Sequence, residues 1–152
     1  GKRILILGAG GAARGSVLPL AEQHPACLTI VNRTPEKAEA LKAQFAEFAT
    51  LEAGGYGDVA GRCFDLVINA TSTGLHGEHL PLSAGLFAPG ALAYDMVYGG
   101  TETPFLKDAR ALGAAQVSDG LGMLVGQAAE SFFLWRGVRP DTGPVLQSLQ
   151  GA

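Results

Sequence analysis

The feature that most constrains this chain is its first fifteen residues. Arg3-Ile4-Leu5-Ile6-Leu7 is a nearly unbroken aliphatic run, the composition of a strand covered on both faces. Gly8, Gly10 and Gly11 follow at once, and Ala12–Gln23 then reads as a helix. A buried strand that enters a glycine turn and opens a helix is the first half of a βαβ unit. Pro25 closes the connection and Leu28-Thr29-Ile30-Val31 predicts the returning strand. Two strands joined by a crossover helix lie parallel, so the chain is committed to a sheet that needs cover on both sides.

The rest of the chain repeats this alternation. Thr34 as N-cap and Pro35 at the first helical position open a helix whose apolar positions are Ala38, Leu41, Phe45 and Phe48. A short third strand is expected at Thr50–Glu52, then a loop or brief helix over 53–61. Residues 64–69 predict a fourth strand ending in the small polar loop 70–74. Leu80–Gly90, which carries Pro81 and Pro89, reads as loop plus one helical turn. A fifth strand is expected at Ala91–Asp95, a helix from Thr103-Pro104 to Leu112, a sixth strand at Gln116-Val117, a long helix at Gly120–Trp135 and a short one at Asp141–Leu149. The expectation is one α/β domain over residues 1–152: a Rossmann-like, doubly wound, mostly parallel six-stranded sheet with helices on both faces.

Composition narrows the function. With 47% hydrophobic and only 16% charged residues, the chain is not intrinsically disordered. A net charge of −3 with scattered cations makes a poor nucleic-acid surface. No apolar run approaches the roughly 18–20 residues of a membrane span. Two isolated cysteines, Cys27 and Cys63, suggest no disulfide framework, and a reducing, cytoplasmic setting is expected.

Gly8, Gly10 and Ala13 fit G-x-G-x-x-A in the strand–turn–helix context that gives the pattern weight. The first glycine allows the tight turn, the second lets backbone approach a pyrophosphate, and the alanine keeps the helix close to the sheet. The helix N-terminus offers free N–H groups to phosphate. An NAD site usually has a carboxylate at the end of the second strand for the ribose 2′-hydroxyl. Here the residues are Asn32-Arg33-Thr34, with Lys37 one turn on. Arg33 can grip a 2′-phosphate with its fork and Lys37 adds a second cation, so NADP(H) is the expected cofactor. His76-Gly77-Glu78-His79 has metal-ligand residue types but lacks further ligands at suitable spacing, and no metal site is assigned.

The motifs GAGGAARG at 8–15, NRTPEK at 32–37, INATSTG at 68–74, DMVY at 95–98, TPFL at 103–106 and DGLGMLVGQAA at 119–129, taken together, resemble the NADP-binding domain of the shikimate dehydrogenase family. The resemblance spans essentially the whole chain. It implies a pyrophosphate site at Gly8, Ala9, Gly10, Gly11 and Ala12, with Arg14 beside it. It implies a 2′-phosphate and adenine clamp at Asn32, Arg33, Thr34 and Lys37, the lysine standing where many members have arginine. Thr71 would line the cofactor cleft, and Met96, Gly120 and Met123 the nicotinamide end. Tyr98 and Gln127 would reach toward the substrate hydroxyls, although Met96 and Met123 as plain core and Gln127 as a partnered core amide are also readings of these residues.

In that family NADPH reduces 3-dehydroshikimate, and a Lys–Asp pair of an N-terminal substrate domain handles the proton. No such pair is expected here. Asp95 and Lys107 are not expected to meet, and Asp119 reads as a cap for the following helix, so no catalytic residue is assigned. The chain is therefore expected to be the cofactor-binding piece of a longer enzyme of aromatic amino-acid biosynthesis, binding NADP(H) without turning over shikimate alone. The aromatic cluster Phe132, Phe133 and Trp135 reads as packing, within the chain or on that partner domain. The alternatives are a free-standing NADP-binding or sensing module, the cofactor domain of a quinate/shikimate dehydrogenase, and the cofactor half of a glutamyl-tRNA reductase-like protein. The DGLGML-x-x-Q helix argues against the last.

Overall fold

The computed structural model describes residues 1–73, 77–99 and 101–150. The elements are β1 (Arg3–Leu7), α1 (Gly11–Ala21), β2 (Cys27–Val31), α2 (Pro35–Gln44), β3 (Glu52–Gly54), a 3-10 turn (Tyr56–Val59), β4 (Phe64–Asn69), β5 (Phe87–Asp95), α3 (Pro104–Ala111), β6 (Gln116–Ser118), α4 (Leu121–Arg136) and α5 (Gly143–Gln150). The strand order is β3-β2-β1-β4-β5-β6. Every pairing is parallel, so the expected sheet is present and is all-parallel rather than mostly so.

Alternation along the strands builds two cores. Ile4 and Ile6 of β1, Leu28 and Ile30 of β2 and Ile68 of β4 face Ala13 and Val17 of α1 and Ala38 and Leu41 of α2. Leu5 and Leu7, with Val31, Val67 and Ala93, face Phe105, Leu106 and Ala109 of α3. Each such aliphatic side chain contributes roughly 1.5–3 kcal/mol on full burial, which is why the continuous apolar runs of β1, β2 and β4 demand helices on both sides. Ala13 is fully buried, in keeping with its role of holding α1 close to the sheet.

Several expectations shift. The third strand lies at Glu52–Gly54, two residues later than expected. The helical turn expected between Leu80 and Gly90 is absent, and β5 begins at Phe87. Pro89 argues against strand in the sequence, but the register jumps there from Phe64↔Phe87 to Leu66↔Leu92. The surplus residues bow out, and Pro89 and Gly90 are exposed. A proline lacks a ladder donor and is tolerated at such a bulge. The second helix ends at Gln44, so Phe48 falls beyond it and is 69% exposed instead of packed. Thr34 stands at the N-cap of α2, yet its side chain makes no capping bond. Asp119 behaves as expected, its Oδ1 accepting from Leu121 N at 3.1 Å.

Candidate functional site

Backbone bonds between neighbouring strands continue beyond the carboxyl ends of five of the six strands. Asn32 N donates to Gly54 O (3.1 Å), Gly8 N to Val31 O (2.7 Å), Ala70 N to Leu7 O (2.8 Å), Met96 N to Asn69 O (3.0 Å) and Gly120 N to Val97 O (3.2 Å). These bonds set the loops in a row along one edge, in the order of the strands beneath them. The turn after β2 comes first, then the glycine loop after β1, the polar loop after β4, residues 96–98 after β5 and Gly120 after β6. The order reverses between β1 and β4, the position where open α/β sheets bind ligands.

A cleft of about 380 Å³ opens there. Gly8, Ala9 and Gly10 form its floor, Asn32, Arg33, Thr34, Lys37 and Tyr56 line its β2–β3 side, and Ala70–Thr73 with 78–81 line its β4 side. Gly8 has φ +106°, and a Cβ there would meet Thr71 Cγ2 at 3.0 Å and the Ala70 carbonyl at 3.1 Å. Its glycine is thus required by backbone and by packing. Gly10 differs: its φ is −88° and a Cβ would meet nothing within 4 Å. Nothing among the described residues calls for a glycine at that position, whereas a ligand resting on the loop would. Gly10 also caps α1 without a side chain, so no capping side chain takes up the first-turn N–H groups.

Among the described residues, Arg33 and Lys37 take part in no ion pair. Both are exposed and both line the cleft, so two cations outside any ion pair stand just beyond the end of β2, where the first residue after the strand is Asn32 and not a carboxylate. Asn32 Nδ2 donates to Thr34 O (3.0 Å), fixing the turn that carries Arg33. Burial pushes the Tyr56 phenol up, an effect partly offset by the nearby Arg33 charge.

Thr71 is held by a buried network. Asn69, wholly buried, accepts from Thr71 N (3.0 Å) and from the Thr71 hydroxyl (2.7 Å) through Oδ1. Its Nδ2 donates to Asp95 Oδ1 at 3.0 Å. Asp95, also wholly buried, accepts from Val97 N (3.0 Å) and from the Thr103 hydroxyl (2.5 Å). Burial raises the Asp95 carboxyl above its ordinary range against the pull of these donors. One carboxylate therefore braces the β4 loop, residues 96–98 and the start of α3. It does not meet Lys107, which is exposed on α3.

Other expected residues lie farther along the edge. Met96 is half-buried and packs against the α1–α2 side core, consistent with its alternative reading as core. Gly120 is buried, and a Cβ on it would approach the Met96 carbonyl carbon to 2.8 Å. Met123 is half-buried one turn before Gln127 on α4. Gln127 is exposed, which excludes the core-amide reading, and Tyr98 is 47% exposed. Ala12 is exposed in the first turn of α1 and does not line the cleft. Arg14 lines a neighbouring groove with Gly11 and Lys37.

The cleft also includes Tyr56, Ser72, Thr73, Glu78 and His79, which the sequence reading did not select. Tyr56 could have been found from its place just after the third strand, since carboxyl ends of strands carry sites. Of the segment 76–79, to which no metal site is assigned, His79 bonds Asp108, and His76 lies outside the described residues. Cys27 and Cys63 are free thiols. Among the described residues no helix is long and apolar enough to cross a membrane. Phe132, Phe133 and Trp135, read as packing, are 44%, 36% and 80% exposed, because only Val125 and Ala129 of α4 are buried.

Comparison with known proteins follows the same lines. The family model described as shikimate/quinate 5-dehydrogenase matches residues 1–76, and that of the shikimate 5′-dehydrogenase C-terminal domain matches residues 120–150. The shikimate dehydrogenase (NADP(+)) of Dechloromonas aromatica is 60% identical over 150 residues, covering 99% of this chain and 55% of that protein. The crystal structure of an Ael1 enzyme from Pseudomonas putida superposes with a TM-score of 0.88 at 47% identity, covering 97% of this chain and 54% of the other. Shikimate 5-dehydrogenase from Thermus thermophilus, solved with NADP(H) and shikimate, gives 0.79 at 35% identity, covering 99% and 55%. The chain spans about half the length of the curated relatives it matches. With its glycine loop, its Asn-Arg-Thr turn and its last long helix all in that register, the chain belongs to the shikimate/quinate 5-dehydrogenase family.

Proposed function

We propose that residues 1–152 are the NADP(H)-binding domain of a shikimate dehydrogenase that interconverts 3-dehydroshikimate and shikimate. The observation that carries this reading is the pair of free cations, Arg33 and Lys37, at the end of β2 where an NAD site would have a carboxylate. Two charge-assisted hydrogen bonds, each about 1.5–3 kcal/mol, favour a 2′-phosphate strongly over a hydroxyl. The names of the relatives and the NADP(H) bound to the Thermus neighbour support the same cofactor.

NADPH supplies the hydride in such a reaction. This chain's part is to bind and orient it. Gly8–Gly11 and the first turn of α1 cradle the pyrophosphate, and Arg14 adds charge from its flank. Asn32, Arg33, Thr34 and Lys37 hold the 2′-phosphate end, and Thr71, fixed by Asn69, lines the middle of the cleft. Met96, Gly120 and Met123 form the nicotinamide end, and Tyr98 and Gln127 extend toward the substrate. Among the described residues no lysine–aspartate pair lies at this edge to move the proton. The acid–base pair therefore comes from the half of the family protein that this chain does not span, which also covers the apolar face of α4 and α5. The isolated chain binds cofactor and does not turn over.

Fluorescence titration with NADPH and with NADH tests the reading. The expected result is at least roughly tenfold tighter binding of NADPH, abolished by Arg33→Ala, with no shikimate-dependent NADPH formation by the chain alone. Equal affinity for the two cofactors would overturn the phosphate clamp, and turnover by the chain alone would overturn the division of labour.

A further inference from the structure

Glu78 and His79 have no part in the reading above, yet they line the cleft on its β4 side together with Leu80 and Pro81. Leu80 is half-buried against the α3-side core and anchors this segment. His79 Nδ1 lies 2.6 Å from Asp108 Oδ2 on α3. With the Asp108 oxygen as acceptor, Nδ1 carries the hydrogen, and in that tautomer the lone pair is on Nε2. Asp108 thus holds His79 in one tautomer, and the ring edge left free is a hydrogen-bond acceptor.

The two sides of the cleft therefore have opposite chemistry. Arg33 and Lys37 are donors only and suit phosphate oxygens. Glu78 and the Nε2 edge of His79 are acceptors and disfavour phosphate, but suit a group with N–H to give. In a bound NADP(H) whose 2′-phosphate meets Arg33 and Lys37, the group of that kind turned to the opposite wall of the cleft is the 6-amino group of the purine. We propose that His79, held by Asp108, is a cofactor-specificity residue that accepts a hydrogen bond from the adenine amino group. This rests on the NADP(H) reading and adds to its adenine end a residue of the opposite wall.

The test titrates the chain with NADPH and with reduced nicotinamide hypoxanthine dinucleotide phosphate, in which a carbonyl oxygen replaces the amino group. The unaltered chain is expected to bind the hypoxanthine analogue roughly three- to tenfold more weakly, the scale of one hydrogen bond. His79→Ala should erase that difference by weakening NADPH alone. His79→Gln, which can offer a side-chain carbonyl, should restore part of it. Asp108→Ala, which releases the tautomer, should reduce it. Equal binding of the two dinucleotides by the unaltered chain overturns the proposal, and so does a His79→Ala variant that keeps the difference or weakens both alike. If NADPH binds and depends on Arg33 while the base is not distinguished, only this proposal falls. If NADPH does not bind, the cofactor reading falls with it.

Discussion

The two ends of the sheet carry similar charges and use them in opposite ways. At the amino ends of the strands two arginines are consumed internally. Arg3 gives both its backbone N (2.8 Å) and its Nε (3.1 Å) to Asp65 Oδ2. Arg62 reaches Glu52 at 2.5 Å and lies 5.2 Å from the centroid of the Phe64 ring. Glu52 also accepts from the Thr29 hydroxyl at 2.7 Å. The Asp65 carboxyl is accordingly held down from 3.8 to about 2, chiefly by Arg3. The Glu52 carboxyl is also lowered, first by Thr29 and then by Arg62. At the carboxyl ends, Arg14, Arg33 and Lys37 have no acidic partner among the described residues. A partnered cation organises the fold, whereas an unpartnered cation over free helix N–H groups is available to an anion. Residue type does not separate the two cases; the neighbours do.

The largest effect should come from the buried brace under the carboxyl edge. Asp95→Ala leaves the Asn69 amide, Val97 N and the Thr103 hydroxyl without their acceptor, and should cost about 2–5 kcal/mol in urea unfolding. Asp95→Asn, which can still accept from two of the three, should lose much less. Similar stability for Asp95→Ala and the parent would show that the carboxylate is not the brace.

The next pair of substitutions separates the two edges. Arg33→Ala should weaken NADPH binding by roughly tenfold or more and leave the unfolding midpoint unchanged. Arg3→Ala should lower the midpoint and leave NADPH affinity unchanged. If both substitutions moved both quantities, the division between structural and ligand-directed cations would be wrong.

A sharper version uses the glycines. Gly8→Ala should destabilise the free protein by about 1–3 kcal/mol, because a Cβ at φ +106° meets Ala70 and Thr71. Gly10→Ala has open space and should leave the free protein's stability within about 0.5 kcal/mol while weakening NADPH. Melting curves with and without NADPH would show the contrast.

The smallest effect lies at the amino edge. A carboxyl whose folded value is depressed contributes stability that is complete above its unfolded value and is lost as pH falls through the folded one. For Asp65 the window runs from 3.8 down to about 2. Asp65→Asn should flatten this part of the acid-unfolding curve and change nothing near neutral pH beyond a constant offset.

Much of the molecule is legible in the chain because the information is local. Arg3–Leu7 followed by three glycines specifies strand, turn and helix from neighbouring residues, and residues 64–69 announce a buried strand in the same way. The absence of a carboxylate beside Asn32-Arg33-Thr34 is likewise read from a few consecutive positions. What the chain does not disclose depends on residues far apart in it. Pro89 argues against a strand until the bulge opposite β4 shows that its missing donor is not needed there. Phe132, Phe133 and Trp135 read as packing because composition cannot say which side of α4 meets the sheet. Asp95 is a candidate for chemistry by residue type, but its partners Asn69 and Thr103 belong to other elements and make it a brace. His79 is given no role by the sequence, because its partner Asp108 lies on α3. Local pattern determined most of the elements, the parallel sheet and the charge of the turn after β2, because propensity, periodicity and turn chemistry act over a few residues. Only the tertiary structure decided which polar groups are spent on one another and which remain free, because that depends on partners brought together by the crossovers.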